Sequence, residues 1–583
     1  MRAKWYMFGC LTSVGLIVIF VIMLISALSQ LSSMAQRPAT KIDANTVLHL
    51  KLSGAIQEYN PITDMTFNFM GDTGDSVHDL ILKIRSAKDD NRIKSILLEP
   101  QFMSMGYANI NEMLSALNDF KSSGKKIYGY INMATQQDIL LMSVADEIYM
   151  NPSASAGFYL HGIGGTMDFY KDMLEKLGIK INVVRAGDYK SAAEPFTRTS
   201  MSPELRRNIT QVYSDIYDVL VNQFAANFES TPAEFRSIFE KRESYLISLE
   251  EGKQIKVVNE LMFFDEFLKK TNIPNNKLVN ISKYTPTPQK QHANKIAVVY
   301  MLGNIVSTTP GFGSSSAITS TQFNKIFDDL IKDNNVRAVV IRITSPGGSA
   351  LESEIIHHKL AQLKEKKPVI VSMGGVAASG GYYIPSNANY IFADPYTITG
   401  SIGVIGMIPD LSGTAKKIGI TSEPVGHGKY LTAGSMLPIE RSFETALQKS
   451  IMNTYHEFKT RVSEGRDIPY TDVEKIAQGQ VWSSKKALEY KLIDEIGMID
   501  DAINKAAEIT HVANYSLVYY PTKRSFIEVI MEEYMNISLP KMLLTRKLPN
   551  KIVEKTDEMI ELFDQIKHDP IQMRNPFELK IEN

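Results

Sequence analysis

The sequence predicts an α/β fold made of two tandem homologous domains with mainly parallel strands, set behind an N-terminal transmembrane helix. Three observations predict it. Short β-rich apolar runs alternate with helical patterns, as in Leu360-Ala361-Gln362-Leu363-Lys364-Glu365-Lys366 ahead of the run 368–373. Such alternation argues for α/β layers around a parallel sheet. The body also repeats itself, and the N-terminus carries one long charge-free apolar stretch.

The N-terminal element comes first. From Trp5 to Gln36 there is no charged residue, and Gly9 to Leu28 is almost continuously apolar. That meets the roughly 20 residues needed to cross a bilayer core. Arg2 and Lys4 precede the run, which favours a cytoplasmic N-terminus and a body on the outer side, periplasmic in a Gram-negative cell. Arg37 and Lys41 weaken this asymmetry. A cleaved signal peptide is the competing reading, but the run is long for one. Residues 1–45 are therefore expected to be an uncleaved anchor, in contact with membrane lipid.

The two domains follow from the repeat. Ala145-Asp146-Glu147-Ile148-Tyr149-Met150-Asn151-Pro152 resembles Ala388-Asn389-Tyr390-Ile391-Phe392-Ala393-Asp394-Pro395 at an offset of 243. Thr46 to Gly54 matches Lys295 to Gly303 in pattern, and Leu174 to Ile179 matches Ala415 to Ile420. The expected units are 46–280 and 295–520, joined by a Pro- and Thr-rich linker, 281–294. Within the extension 521–583, Phe526 to Met535 and Ile552 to Phe563 read as amphipathic helices.

Composition narrows the function classes. The chain has 583 residues, too many for one core, with a formal net charge of −1 and a single cysteine, Cys10. No global field argues for a nucleic-acid partner. An intrachain disulfide framework and a cysteine-only zinc site are excluded. No histidine pair has metal spacing, and no motif requires a metal or organic cofactor. The His357-His358 pair is expected on an exposed helix.

The chemistry concentrates between 339 and 406. The run Val369-Ile370-Val371-Ser372-Met373 leads into Gly374-Gly375-Val376-Ala377-Ala378-Ser379-Gly380-Gly381-Tyr382-Tyr383. A serine among small residues, past a buried strand, is where a nucleophile is held at a helix start. About thirty residues earlier, Val339-Val340-Ile341-Arg342-Ile343 ends in Thr344-Ser345-Pro346-Gly347-Gly348-Ser349. That glycine pair can offer backbone N–H groups to an oxyanion. Both segments fall at strand carboxyl ends, where α/β folds bind ligands. The repeat sharpens the point. Position 136, equivalent to Ser379, is Gln, and Glu99-Pro100-Gln101-Phe102 stands near the place of Ser345-Pro346-Gly347-Gly348. The first half thus keeps the scaffold and lacks both nucleophile and anion cradle.

A serine nucleophile needs a base. No G-x-S-x-G elbow frames Ser379. A lysine serves if burial lowers its pKa from about 10.4 toward working pH. Two stand in suggestive places: Lys190, in Gly187-Asp188-Tyr189-Lys190-Ser191-Ala192-Ala193-Glu194-Pro195-Phe196, and Lys429, in Gly426-His427-Gly428-Lys429-Tyr430-Leu431, at nearly the equivalent repeat position.

These residues carry a resemblance. The chain resembles the signal peptide peptidase A (protease IV) family in its long form, serine–lysine membrane peptidases with a Clp/crotonase-like fold. The resemblance covers roughly 46–520. It rests on Ser-Pro-Gly-Gly at 345–348, Ala-Ala-Ser-Gly-Gly-Tyr at 377–382, Thr-Gly-Ser-Ile-Gly at 399–403, the motif at 187–196, and Ile476-Ala477-Gln478-Gly479-Gln480-Val481-Trp482. It implies Ser379 as nucleophile, Lys190 as general base and Ser401 as the residue orienting the lysine. It also implies an oxyanion hole from the N–H groups of Gly348 and Gly380. Short-form relatives place the lysine near Lys429, which makes Lys429 the alternative base. The family further implies peptide substrates, including cleaved signal peptides. It implies a homotetramer too, in which lysine and serine meet across neighbouring subunits. Three rival readings are a crotonase-like acyl-CoA enzyme, a non-catalytic membrane scaffold, and a serine–histidine variant using His427.

Overall fold

The computed structural model describes residues 42–62, 75–242, 244–288, 290–307, 317–432, 436–524 and 571–574. The transmembrane expectation for Gly9–Leu28 lies outside them. Among the described residues, no helix is long and apolar enough to cross a membrane. The helices expected at 526–535 and 552–563 also lie outside.

Two parallel sheets share one strand order. In the first, the order is Glu260–Leu261, Glu147–Met150, Lys126–Ile131, Ile93–Leu98, Thr46–Leu50, Leu278–Asn280. The second sheet has eight strands, and six of them form the matching series Glu495–Ile496, Tyr390–Ala393, Val369–Ala378, Val336–Ser345, Lys295–Leu302, Ser516–Tyr520, while Ile398–Gly400 also pairs parallel with Val369–Ala378 and carries Val481–Ser483 antiparallel on its other side. Every neighbouring pair in both series is parallel. The sequence repeat is therefore a repeat of topology.

The strands are apolar throughout because both faces are covered, as parallel sheets require. One face of the second sheet meets Ile356, Leu360 and Leu363 of helix Ala350–Lys364. The other meets Ala502, Ile503 and Ala506 of helix Ile499–Thr510, which pack on Ile296, Val298, Val340 and Ile370. Each buried Ile, Leu or Val contributes about 1.5–3 kcal/mol over its exposed state.

The halves are interlocked in two ways that the repeat does not announce. Strand Lys180–Ala186 leaves the first half and pairs antiparallel with Val404–Asp410 of the second, from Ala186↔Val404 to Lys180↔Asp410. The expected unit 46–280 thus lends a strand to its neighbour. Buried Arg342 also reaches across the junction. Its Nε lies 2.5 Å from Glu58 Oε1, and its Nη1 lies 3.0 Å from Glu112 Oε1.

A third, six-stranded sheet caps this junction. Its order is Ala317–Ile318, Asn304–Ile305, Gly347–Ser349, Ile571–Arg574, Val404–Asp410, Lys180–Ala186. Beyond Arg524 the described residues, 571–574, form one strand of this sheet.

Candidate active site

Strand Val369–Ala378 delivers Ser379, and the short helix Gly380–Tyr383 follows it. Ser379 takes φ +56°, ψ −117°, a conformation that non-glycine residues rarely adopt and that must be held by its surroundings. The hold is visible. Ser379 N–H donates to the Gly400 carbonyl at 2.8 Å, and the Ser379 carbonyl accepts from Tyr383 N–H at 2.8 Å. Tyr382 and Tyr383 are buried behind it, and the Tyr382 hydroxyl donates to the Leu492 carbonyl at 2.9 Å.

Lys190 arrives from the other half on the loop after strand Lys180–Ala186. The segment Gln478-Gly479-Gln480 wraps this loop. Tyr189 N–H donates to the Gln478 carbonyl at 2.8 Å, and Ser401 N–H to the Gln480 carbonyl at 2.6 Å. Gly479 has φ +82°, and a Cβ there would stand 2.6 Å from Lys190 N. Beyond the lysine, Glu194 accepts from the N–H and hydroxyl of Ser202 at 2.8 and 2.5 Å, which closes the loop.

The two chain halves meet at the side chains. Lys190 Nζ lies 2.7 Å from Ser379 Oγ, 2.9 Å from Ser401 Oγ and 2.9 Å from the Ser401 carbonyl oxygen. Lys190, Ser379 and Ser401 are fully buried. Burial holds the Lys190 amine well below the ordinary lysine value. A neutral amine has two N–H donors and one lone pair. The two donors match the two Ser401 oxygens, and the lone pair is left for the Ser379 hydroxyl hydrogen. This arrangement can take a proton from Ser379 as its oxygen attacks a carbonyl.

Gly348 and Gly380 stand beside this pair. Gly348 lies in strand Gly347–Ser349, and Gly380 follows Ser379 directly. An ideal Cβ on Gly347 would lie 2.9 Å from Gly380 N, so the two glycine segments touch.

Other sequence expectations fare differently. Lys190 and Ser379 meet within one chain, so the expectation of a lysine and serine joined across subunits is corrected. The cause is the strand Lys180–Ala186, which carries the lysine into its own chain's second half. Lys429 is exposed, with Nζ 5.5 Å above the Tyr430 ring, and it is Lys190 that contacts Ser379. His427 is exposed on the same loop. His357 is buried, not exposed, and its ring Nδ1 lies 3.0 Å from the Ile384 carbonyl oxygen. His358 is the exposed member of that pair.

In the first half the equivalent place is filled differently. Gln136 lies at the start of helix Gln136–Met142, as Ser379 lies before Gly380–Tyr383. Its amide nitrogen donates to Tyr107 Oη and the Gly162 carbonyl, and its oxygen accepts from His161 and Gly162 N–H. The N–H groups of Phe102 and Met103, in the place of the glycine cradle, donate to the Asp138 carboxylate at 2.9 and 3.1 Å. A built-in anion already fills that cradle.

Sequence reasoning missed the strand exchange at 180–186 and the strand 571–574. The first had a signal in the apolar run Ile181–Val184 just before the lysine motif. Among the described residues, no group of three or more His, Cys, Asp or Glu side chains is placed to hold a metal ion.

The family model for peptidase family S49 matches residues 119–277 and 361–513, one segment in each half. The first segment contains Lys190 and the second contains Ser379 and Ser401. Protease 4 of Haemophilus influenzae is 34% identical over 75% of this chain and 73% of its own length. Protease 4 of Salmonella typhi is 31% identical over 78% and 76%. The chloroplastic serine protease SPPA of Arabidopsis thaliana is 29% identical over 82% and 71%.

Proposed function

The chain belongs to peptidase family S49 and is a serine-type peptidase, and on that premise we propose that Ser379 is its nucleophile and Lys190 its general base. One observation carries the assignment: a fully buried lysine amine 2.7 Å from a fully buried serine hydroxyl. Neutral Lys190 accepts the Ser379 proton as Oγ attacks the peptide carbonyl. The N–H groups of Gly348 and Gly380 stabilise the oxyanion. The lysine then gives its proton to the leaving amine, and an acyl-enzyme remains on Ser379. Water, deprotonated by Lys190, hydrolyses the acyl-enzyme and restores the serine. Ser401 orients the amine through its two oxygens.

The substrates of this reading are apolar, membrane-derived peptides, cleaved signal peptides among them. The body is tethered through the apolar run Gly9–Leu28 and faces the outer side of the membrane, the periplasm in a Gram-negative cell. It assembles as a homotetramer of protomers that each hold a complete dyad. The charge-free stretch from Trp5 to Gln36 supports the tether.

The test is cleavage of an apolar fluorogenic peptide and labelling by a serine-directed acylating probe. Wild type is expected to cleave and to be labelled at Ser379, and Ser379→Ala to do neither. A wild-type protein that is neither labelled nor active on any peptide contradicts the reading.

A further inference from the structure

Two neighbouring strands deliver the site. Val336–Ser345 leads to Gly347 and Gly348, and Val369–Ala378 leads to Ser379. They pair in register up to Ile343↔Met373 and resume at Ser345↔Ala377. Between these points one residue, Thr344, stands opposite three, Gly374, Gly375 and Val376. The nucleophile strand therefore bulges just before Ser379, and a bulge re-aims the chain that follows it.

The bulge is seated on a buried ionic cluster. An ideal Cβ on Gly374 would lie 2.1 Å from Thr344 Oγ1 and 3.4 Å from Arg342 Nε and Nη2, so any larger residue there must displace Thr344. Residues 342 and 344 share one face of their strand, and one carboxylate clamps both. Glu58 Oε1 accepts from Arg342 Nε at 2.5 Å, and Glu58 Oε2 accepts from the Thr344 hydroxyl at 2.8 Å. Glu112 Oε1, on helix Tyr107–Lys121, accepts from Arg342 Nη1 and from Ile499 N–H, both at 3.0 Å. Beside it, Asn111 Nδ2 donates to Asp394 Oδ2 at 3.1 Å. The acceptors Glu58 and Glu112 belong to the first half, and the segments they hold belong to the second.

We propose that Glu58 and Glu112 are positioning residues for the peptidase reaction: through Arg342 and Thr344 they hold the bulge at 374–376 and the strand end at 344–345, and thereby set the places of Ser379 and of the Gly347-Gly348 cradle. This rests on the assignment of Ser379 and Lys190 above. It gives the first half a second task besides supplying the lysine.

One member of the cluster makes it responsive to pH. Glu112 Oε2 is buried and, among the described residues, has no hydrogen-bond partner, and Glu112 lines a small cavity with His78, Asn109 and Tyr300. The groups that face Glu112 are Arg342, Glu58, His78, Tyr300, Asp394 and Asp500. Burial raises the Glu112 carboxyl to about 7 and Asp394 to about 6. Burial also keeps His78 neutral down to about 4 and keeps Tyr300 neutral, while Asp500 pairs with Arg85. Ionised Glu112 draws Arg342 toward the first half. Protonated Glu112 leaves the guanidinium to Glu58 alone, so the clamp is tighter above neutrality.

The test is steady-state cleavage of an apolar fluorogenic peptide by the full chain. Thr344→Val keeps the side-chain volume and removes the bond to Glu58. It is expected to lower kcat about tenfold and to leave KM within about twofold, and Thr344→Ser, which keeps the hydroxyl, to recover most of that loss. The kcat ratio of wild type to Glu112→Gln cancels the lysine's own titration. It is expected to be near 1 at pH 5.5 and about threefold or more at pH 8.5. An unchanged kcat in Thr344→Val, or a fall that Thr344→Ser does not reverse, would overturn the proposal. So would a ratio that is the same at both pH values, and that ratio decides alone if Thr344→Val does not fold. Amide hydrogen exchange separates this from the dyad assignment. In a Ser379→Ala background, Thr344→Val is expected to speed exchange in 345–349 and 374–379 several-fold. A wild type that cleaves nothing but shows the exchange effect would fault the dyad and leave the clamp standing, whereas unchanged exchange would overturn the clamp.

Discussion

Ala186 pairs with Val404 in the antiparallel ladder that joins the two halves. Four residues beyond Ala186 stands Lys190, and three residues before Val404 stands Ser401. The ladder therefore fixes the lysine and its positioning serine relative to each other before any side chain is considered. The Lys190–Ser379 contact is a product of the strand exchange, so the proposed dyad rests on backbone registers as well as on the side chains of Lys190, Ser379 and Ser401.

The wrapping segment gives the first prediction. Gly479→Ala would put a methyl group 2.6 Å from Lys190 N and must push the lysine loop outward. A displacement near 1 Å is expected to lower kcat about 100-fold. Circular dichroism should stay unchanged. Acylation of Ser379 by a serine-directed probe should slow in parallel.

The lysine's burial gives the second. Its folded-state pKa lies well below 10.5. Between the folded and unfolded values the unfolded chain binds the extra proton, so stability rises with pH across that window and is lost as pH falls through it. Lys190→Met removes this slope. It should raise stability at neutral pH, with the gain vanishing as pH rises toward the unfolded-chain value of 10.5. Denaturant unfolding at several pH values checks it. In wild type, kcat/KM should rise with pH on a limb well below the ordinary lysine range.

Ser401→Ala separates orientation from basicity. It removes one acceptor from the amine and leaves the Ser401 carbonyl in place. Acceptors favour the ammonium form, so the acid limb should move to lower pH while the plateau kcat falls by about 10–100-fold. A pH–rate profile reads both effects. An unchanged plateau would remove Ser401 from the positioning role.

The buried cation at the junction gives a stability prediction. Arg342 pairs with Glu58 and Glu112, and Ser372 Oγ lies 2.8 Å from its Nη1. Burial pushes the Glu112 carboxyl up to about 7, against the pull of Arg342. Arg342→Met strands both carboxylates and is expected to cost about 3–5 kcal/mol at neutral pH. The loss should shrink as pH falls and Glu112 protonates, which thermal unfolding at pH 5 and pH 8 would show.

Much of this was legible in the chain. The 243-residue echo marks two sheets with one strand order, because a buried parallel strand leaves a continuous apolar run wherever it occurs. Ser379 was legible because its cluster of small residues has few other uses at a strand end. Lys190 was legible only through its longer motif. A lysine is solvated by default, and nothing local says that this one is buried. The partner relation was not legible, since a seven-residue strand carries no label for the sheet it joins. The family resemblance led to a dyad across subunits, and the register of Lys180–Ala186 with Val404–Asp410 overturned that. The strand at 571–574 was missed because four residues, Ile571-Gln572-Met573-Arg574, are too few for a periodic signal.

The most direct test of the single-chain dyad is complementation. Ser379→Ala and Lys190→Ala chains, carrying different tags, would be co-expressed and the mixed assembly purified through both tags. Its cleavage of an apolar fluorogenic peptide would then be compared with wild type. If each chain builds its own dyad, every site in the mixture lacks either the nucleophile or the base, and activity should stay at the level of the single variants. Recovery of a quarter or more of wild-type activity would mean that lysine and serine come from different subunits, and would contradict the account.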